Sequence, residues 1–325
     1  MTFTCFHTVY KEATIVVPVT IGYDASPSVR PWLASRDAPQ FIHSGNWWTI
    51  KPGKRTREIV LDRQLALVNT HTVGLMSTNV QPGNDPLYWL NDDKEEKHLQ
   101  DCLDNANYAR DEAKSRRVSV PVYCTLQPAS ARAAEAWFQK AIDAGHRHLC
   151  MGVSEFLRSP RYRNEGVRRV LEITRVIKRL LGAKSGAIHL SGLTSYNLLP
   201  IVAALGATST DGSTPVQSAL AYGTVFWPGS GKGTSASKLW EQRESIGWNC
   251  TCEKCRARPV ADTLRSFQDP AARVDHNLAT WEALVHEINE SITRDPSSWF
   301  ASRKGKLPPA SKKPWELALR LLENK

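Results

Sequence analysis

Three of the chain's seven cysteines, Cys250, Cys252 and Cys255, fall within six residues in the stretch NCTCEKCRARP. Cys-x-Cys-x-x-Cys gathers three soft sulfur ligands on one tight turn, and a fourth ligand completes a tetrahedral metal site. His276 lies 21 residues beyond Cys255, in RVDHNLATWEALVHEI, at the start of an expected helix. Thiolate with imidazole suits zinc over magnesium or calcium, and Cys3His is a structural zinc set. A closed four-ligand site has no position left for water, so this zinc is expected to hold structure and do no chemistry. The competing reading is a redox pair of Cys252 with Cys255. It lacks the strand-then-helix setting of a thioredoxin-like unit and leaves the third cysteine unexplained.

A second stretch, WPGSGKGTSASKLWE (227–241), reads like a phosphate loop and would make the chain a nucleotide kinase or ATPase. The pattern is incomplete. Phe226 stands where the first glycine should be, and Gly233 follows Lys232 where Ser or Thr is needed. No later strand ends in an aspartate to hold magnesium. The alternative is a mobile loop after the eighth strand, with Lys232 meeting a phosphate of a polymer.

These groups need a scaffold. Short β-branched runs at 13–20, 40–43, 72–77, 118–125, 148–153, 186–190, 206–210 and 220–226 alternate with helical patterns at 57–69, 88–116, 130–144, 162–182 and 194–205, and a long one follows near 277–293. Gly145 ends the pattern over 130–144 as a C′ glycine. Eight strands with helices between most of them imply an α/β chain forming a (β/α)8 TIM barrel, with a doubly wound sheet as the alternative. In a barrel the functional residues follow the strands, here His43, Thr78, Gln127, Gly152, Ser191 and Asp211. The expected organisation is one barrel domain over 1–325. A zinc-binding subdomain is inserted at about 245–280, and a basic tail over about 301–325 packs as an arm on the surface.

The chain of 325 residues carries a net charge of +10, which favours a polyanionic partner or marks a solvated basic surface. Arg158, Arg161, Arg163, Arg168 and Arg169 cluster in FLRSPRYRNEGVRR. No apolar run of membrane-spanning length and no signal peptide are read. The odd, scattered cysteine count fits a reducing cytoplasm.

The zinc pattern followed by His-Asn-Leu resembles the tRNA-guanine transglycosylase superfamily, including relatives that insert 7-deazaguanine bases into DNA. The likeness runs in order over roughly residues 12 to 290. The family's nucleophilic aspartate segment, Gly-x-Asp-x-x-Asp-x-x-x-Pro, is similar to GATSTDGSTP, with Asp211 four residues before Pro215. HLSGL (189–193) resembles a glycine turn of the family. VPVYCTLQP places Gln127 at a base-contacting glutamine, and HLCMGVSEF places Gly152 where backbone meets the base. Two positions depart. In FIHSGNWWT, Ser44 and Gly45 match the family's Asp-Ser-Gly-Gly-x-Gln, but His43 replaces the aspartate. Near LMSTNV, Thr78 and Asn79 stand where a base-recognising aspartate is expected.

The resemblance implies that Asp211 attacks an anomeric carbon and holds the sugar covalently, in two displacements with net retention. On the residues alone, Asp211-Gly212 is also an ordinary turn dipeptide. His43 is suited by its pKa to proton transfer, or is a structural histidine. Trp47 and Trp48 can stack on a flipped base or fill the core. Arg158, Arg161 and Arg163 are placed to hold phosphates. The expected reaction replaces guanine in a polynucleotide with a 7-deazaguanine. DNA is preferred, because no extra C-terminal RNA-binding domain follows. A tRNA enzyme and a non-catalytic nucleic-acid-binding subunit remain as alternatives, and an accessory protein or a homodimer is compatible with either.

Overall fold

The computed structural model describes residues 2–45, 56–80, 87–90, 96–182, 186–256, 258–294, 298–300, 302 and 309–323. Eight parallel strands close into a barrel in chain order. They are β1 (Thr4–Thr8), β2 (Val19–Gly22), β3 (Gln40–His43), β4 (Thr72–Met76), β5 (Val122–Leu126), β6 (His148–Gly152), β7 (Ala187–Ser191) and β8 (Ser209–Gly212). β8 closes on β1, pairing Phe6 with Asp211 and His7 with Gly212.

Parallel neighbours need crossovers. These carry α1 (Arg30–Ala34), α2 (Arg57–Leu65), α3 (Glu96–Ser115), α4 (Ala131–Asp143), α5 (Ser154–Arg158), α6 (Arg163–Leu181) and α7 (Leu199–Ala204), and α8 (Thr214–Ala221) follows the last strand. α4 shows how local sequence sets the boundaries. Ser130 caps it by accepting from the Ala133 amide, and Gly145 at φ +95° follows its end. The Gly145 and His146 amides then reach back to the Ile142 and Ala141 carbonyls, closing the last turn as expected of a C′ glycine.

Beyond β8 come a hairpin, β9 (Thr224–Phe226) with β10 (Gly233–Ser235), and α9 (Ala236–Glu241), α10 (Glu253–Arg256), α11 (Val260–Ser266), α12 (Pro270–Arg294) and α13 (Pro309–Glu323). The hydrophobic core divides between the two flanks of the barrel and its interior, with a separate small core of Val225, Leu239, Trp248, Leu264 and Phe267 under the cysteines.

Three expectations are corrected. The run 13–20 is mostly loop. Asp275 on α12 accepts hydrogen bonds from the Thr14 and Ile15 amides and the Thr14 hydroxyl, so this segment's backbone is satisfied outside any ladder. The first strand is instead TCFHT, too short and mixed to stand out. The run 220–226 adds nothing to the barrel, because Thr224–Phe226 pairs antiparallel with Gly233–Ser235. Asp211 therefore sits in the last barrel strand, and Lys232 in the hairpin loop beyond it. Finally, the tail is no surface arm over 309–323. It forms α13, whose Trp315 is buried against Trp299 and Phe300 and donates to the Asn197 carbonyl at 3.3 Å. Among the described residues, no helix is long and apolar enough to cross a membrane.

Candidate active site and metal centre

Side chains of a strand alternate between barrel interior and exterior. Inward-facing positions at or just past the C-terminal ends of the eight strands form one ring at the mouth: Thr8, Thr20, His43, Met76, Gln127, Gly152, Ser191 and Asp211. They line a cleft of about 560 Å³ together with Asn79, Glu155 and Arg158. A layer of Phe6, Phe41, Tyr123, Cys150 and His189 lies beneath as its floor.

Asp211 is buried. Its Oδ1 accepts from the Gly192 amide at 2.6 Å. Its Oδ2 accepts from Thr20 Oγ1 at 3.2 Å and Ser191 Oγ at 3.5 Å, with His189 Nε2 also at 3.5 Å. Burial pushes this carboxyl up, but the His189 ring, the nearby His43 and the Gly192 amide outweigh it and hold the group at about 2. The result is a buried carboxylate held ionised at the wall of an open cleft.

Gln127 is buried, and its Oε1 has no hydrogen-bond partner among the described residues. A buried amide oxygen without a partner is costly, so a donor on a ligand stabilises it. Gly152 explains itself here: a Cβ at that position would lie 2.1 Å from Gln127 Nε2, so the glycine lets the amide lie across it. His43 Nδ1 accepts from the Gly45 amide at 2.9 Å, which leaves the neutral ring its proton on Nε2. Ser44 and Asn79 are joined by a 3.5 Å hydrogen bond, and Asn79 reaches the cleft. Thr78 is buried beside them and does not line the cleft; its carbonyl accepts from Asn105. Trp47 and Trp48 lie outside the described residues.

The basic cluster divides. Arg168 is locked to Glu165 and Glu172, and Arg169 to Glu165 and the Trp89 and Ala129 carbonyls. Arg158, Arg161 and Arg163 are exposed, with Arg158 at the cleft rim and Arg161 over Tyr162. Lys232 is exposed on the hairpin loop, which folds over Tyr196 after β7. Strand β10 separates Lys232 from α9, so the Gly-Lys pair does not open a helix and the phosphate-loop reading falls.

Cys250, Cys252, Cys255 and His276 converge, their ligand atoms all within 4.8 Å of one another, and the group can hold a metal ion. His276 Nδ1 lies 3.8, 3.6 and 3.4 Å from the three sulfurs in order. A tetrahedral ion with bonds of about 2.3 Å to sulfur and about 2.0 Å to nitrogen spaces such atoms by about 3.5 Å, so the fit is good. His276 Nε2 donates to the Phe226 carbonyl at 2.9 Å, leaving Nδ1 bare toward the thiols, as a metal ligand must be. Asn277, the next residue, accepts from the Phe226 amide at 3.0 Å and donates to the Thr224 and Pro215 carbonyls. The His-Asn pair thus ties the hairpin to α12.

Sequence reasoning missed Thr8 and Thr20, because the first strand was misplaced, and also Glu155 and His189. His189 was legible: in AIHLS it shares inward parity with Ser191. Comparison of the chain with family models and with curated proteins finds no match.

Proposed function

We propose that the chain is a guanine transglycosylase of the kind its sequence resembles, exchanging guanine in a polynucleotide, DNA first, for a 7-deazaguanine. The observation that carries this reading is Asp211: an ionised, buried carboxylate in a cleft that also presents a base-pairing amide. An Asp211 oxygen attacks C1′ of the nucleotide. The C1′–N9 bond breaks, and its electron pair leaves with the guanine, which takes up a proton. The incoming base loses its N9 proton and attacks C1′ in turn. The ester C1′–O bond breaks and its pair returns to Asp211.

Gln127 Oε1 accepts from the N–H groups of a guanine Watson–Crick edge. His43, with Nδ1 accepting from the Gly45 amide, offers its Nε2–H as a hydrogen bond to the leaving base. Reaching C1′ requires the nucleotide to leave its stack, and Arg158, Arg161, Arg163 and Lys232 suit the flanking phosphates. The Cys3His group suits zinc, which when bound supplies a structural tie between α12 and the hairpin.

The test is guanine release and base incorporation on DNA and on tRNA, with the protein–nucleic acid adduct trapped by denaturation. Exchange and an adduct on DNA, both absent in Asp211→Asn, are expected. An adduct on tRNA alone overturns the choice of polymer. No exchange on either removes the enzyme and leaves a nucleic-acid-binding protein.

A further inference from the structure

The floor of the cleft holds a histidine that the proposed reaction does not use. His189 is fully buried, one inward position below Ser191 on β7. Its Nδ1 is hydrogen-bonded to Ser209 Oγ at 2.9 Å, while its Nε2, without a hydrogen bond among the described residues, lies 3.5 Å from Asp211 Oδ2, within ion-pair range. Its ring is stacked on Phe41 at 4.1 Å and 22°, with Tyr123 edge-on at 6.0 Å. An ionised carboxylate only accepts, so Nε2 carries the proton, and Nδ1 accepts from the Ser209 hydroxyl. Ser209 fixes the tautomer and Phe41 fixes the plane.

We propose that His189 is a positioning residue for Asp211: its buried Nε2, 3.5 Å away on the barrel-interior side and otherwise without a partner among the described residues, holds the carboxylate by charge and favours its charged form. This rests on Asp211 being the nucleophile. The consequence differs between the two displacements. In the covalent ester Asp211 has lost its charge; when the C1′–O bond breaks, the electron pair and the charge return to it. A donor that favours the free carboxylate therefore speeds release of the sugar more than its capture.

Other groups facing the pair do not confuse the titration. Cys5 from β1 and Cys150 from β6 are pushed far up by burial, and Tyr123 from β5 is pushed up to about 12, so all three stay neutral. Thr20, Ser191 and Thr210 carry no charge. His43, on β3, also lowers Asp211, and Glu155 and Arg158 are further charged groups lining the same cleft.

Two measurements test the proposal on the full-length protein. The first uses no substrate: carboxyl 13C shifts of Asp211 followed against pH in wild type, His189→Phe and His189→Gln. Wild-type Asp211 is expected to stay ionised to the acid limit of the fold. His189→Phe should protonate at least one pH unit higher, about tenfold in proton affinity. His189→Gln, whose amide nitrogen can reach the Nε2 position, should restore most of the difference. The second is single-turnover kinetics on the reactive polymer. The ratio of adduct resolution to adduct formation should fall about tenfold in His189→Phe and recover in His189→Gln.

A folded His189→Phe in which Asp211 stays ionised to the same acid limit overturns the proposal. If His189→Phe does not fold, Ser209→Ala carries the test, since it frees the tautomer; an unmoved Asp211 there overturns it equally. A shifted Asp211 with no adduct in wild type on any polymer would sink the transglycosylase reading and leave the positioning role standing.

Discussion

The two ends of the barrel carry cavities of nearly equal size and opposite character. At the C-terminal mouth lies the cleft of about 560 Å³ around Asp211; at the N-terminal end, before β5 and β6, lies one of about 600 Å³ lined by Arg110, Lys114, Arg117 and Arg147. The lower cavity looks the better anion site by charge alone. Two of its four cations are already engaged, however. Arg110 Nη1 donates to the Ala144 carbonyl at 2.6 Å, and Arg147 Nη1 to the Ile142 and His146 carbonyls at 2.8 and 3.0 Å. Lys114 and Arg117 also face the negative C-terminal end of α3. At the mouth, Gln127 Oε1 is buried without a partner among the described residues and a buried carboxylate is held ionised. The difference teaches that volume and charge do not mark a site; polar groups held ready without a protein partner do.

If that contrast is sound, changes at the mouth should strike chemistry, and changes at the base should strike stability. The largest effect is expected from Asp211→Asn: exchange falls by about 10⁴-fold or more, while thermal unfolding reports a cost of only about 1–3 kcal/mol for the altered buried hydrogen bonds. A comparable loss in both would erase the distinction.

Removing the metal comes next. Chelation, or Cys255→Ala, should cost several kcal/mol, a fraction of the ~10–16 kcal/mol that structural zinc contributes in small domains. Hydrogen exchange should then rise in β9 and β10 and stay low in β5 and β6; uniform exchange would show that the corner supports the whole barrel.

Gly152→Ala should expel the Gln127 amide, raising KM by about 10- to 100-fold through a lost contact worth about 1–3 kcal/mol. Steady-state kinetics on the reactive polymer checks this, and an unchanged KM removes Gln127 from base recognition.

The smallest effect belongs to the base. Burial, then Arg110, lowers His146 from its ordinary 6.5 to about 4. The unfolded chain therefore takes the proton first as pH falls. Stability should be full above about 6.5, decline down to about 4 and level off below. Denaturant midpoints across this range, compared with His146→Gln, measure the slope, and exchange activity of the variant at neutral pH should match wild type.

Much of this could be read from residue types, and the reasons for the misses are physical. Strands β3 to β7 and the Cys3His set were legible because parallel strands buried on both faces read as apolar runs, and because ligand spacing is local; β8, the polar STDG, stood out only as a short β-branched run. β1 was hidden: TCFHT alternates weakly, while the more apolar loop 13–18 has its backbone satisfied by Asp275, 257 residues beyond position 18. Asp211 could be singled out only through resemblance, since nothing local separates it from a turn. Its low pKa comes from Gly192 and His189, neither adjacent to it in sequence. The split of the arginine cluster was equally out of reach, because it depends on which guanidiniums find Glu165 and Glu172 on α6.

The grip of His276 and Asn277 on Phe226 has a mechanical meaning. The carbonyl and the amide of one residue are each held, at 2.9 and 3.0 Å, by consecutive residues of a single helix. Two fixed points define an axis, so the hairpin is mounted as a lever arm that cannot swivel at its root. Compliance is left to its far end, where Gly229 and Gly231 take left-handed φ values of +73° and +64° beside Lys232. The arm is stiff at the handle and jointed at the tip, and the joint lies against Tyr196 in the segment that follows β7.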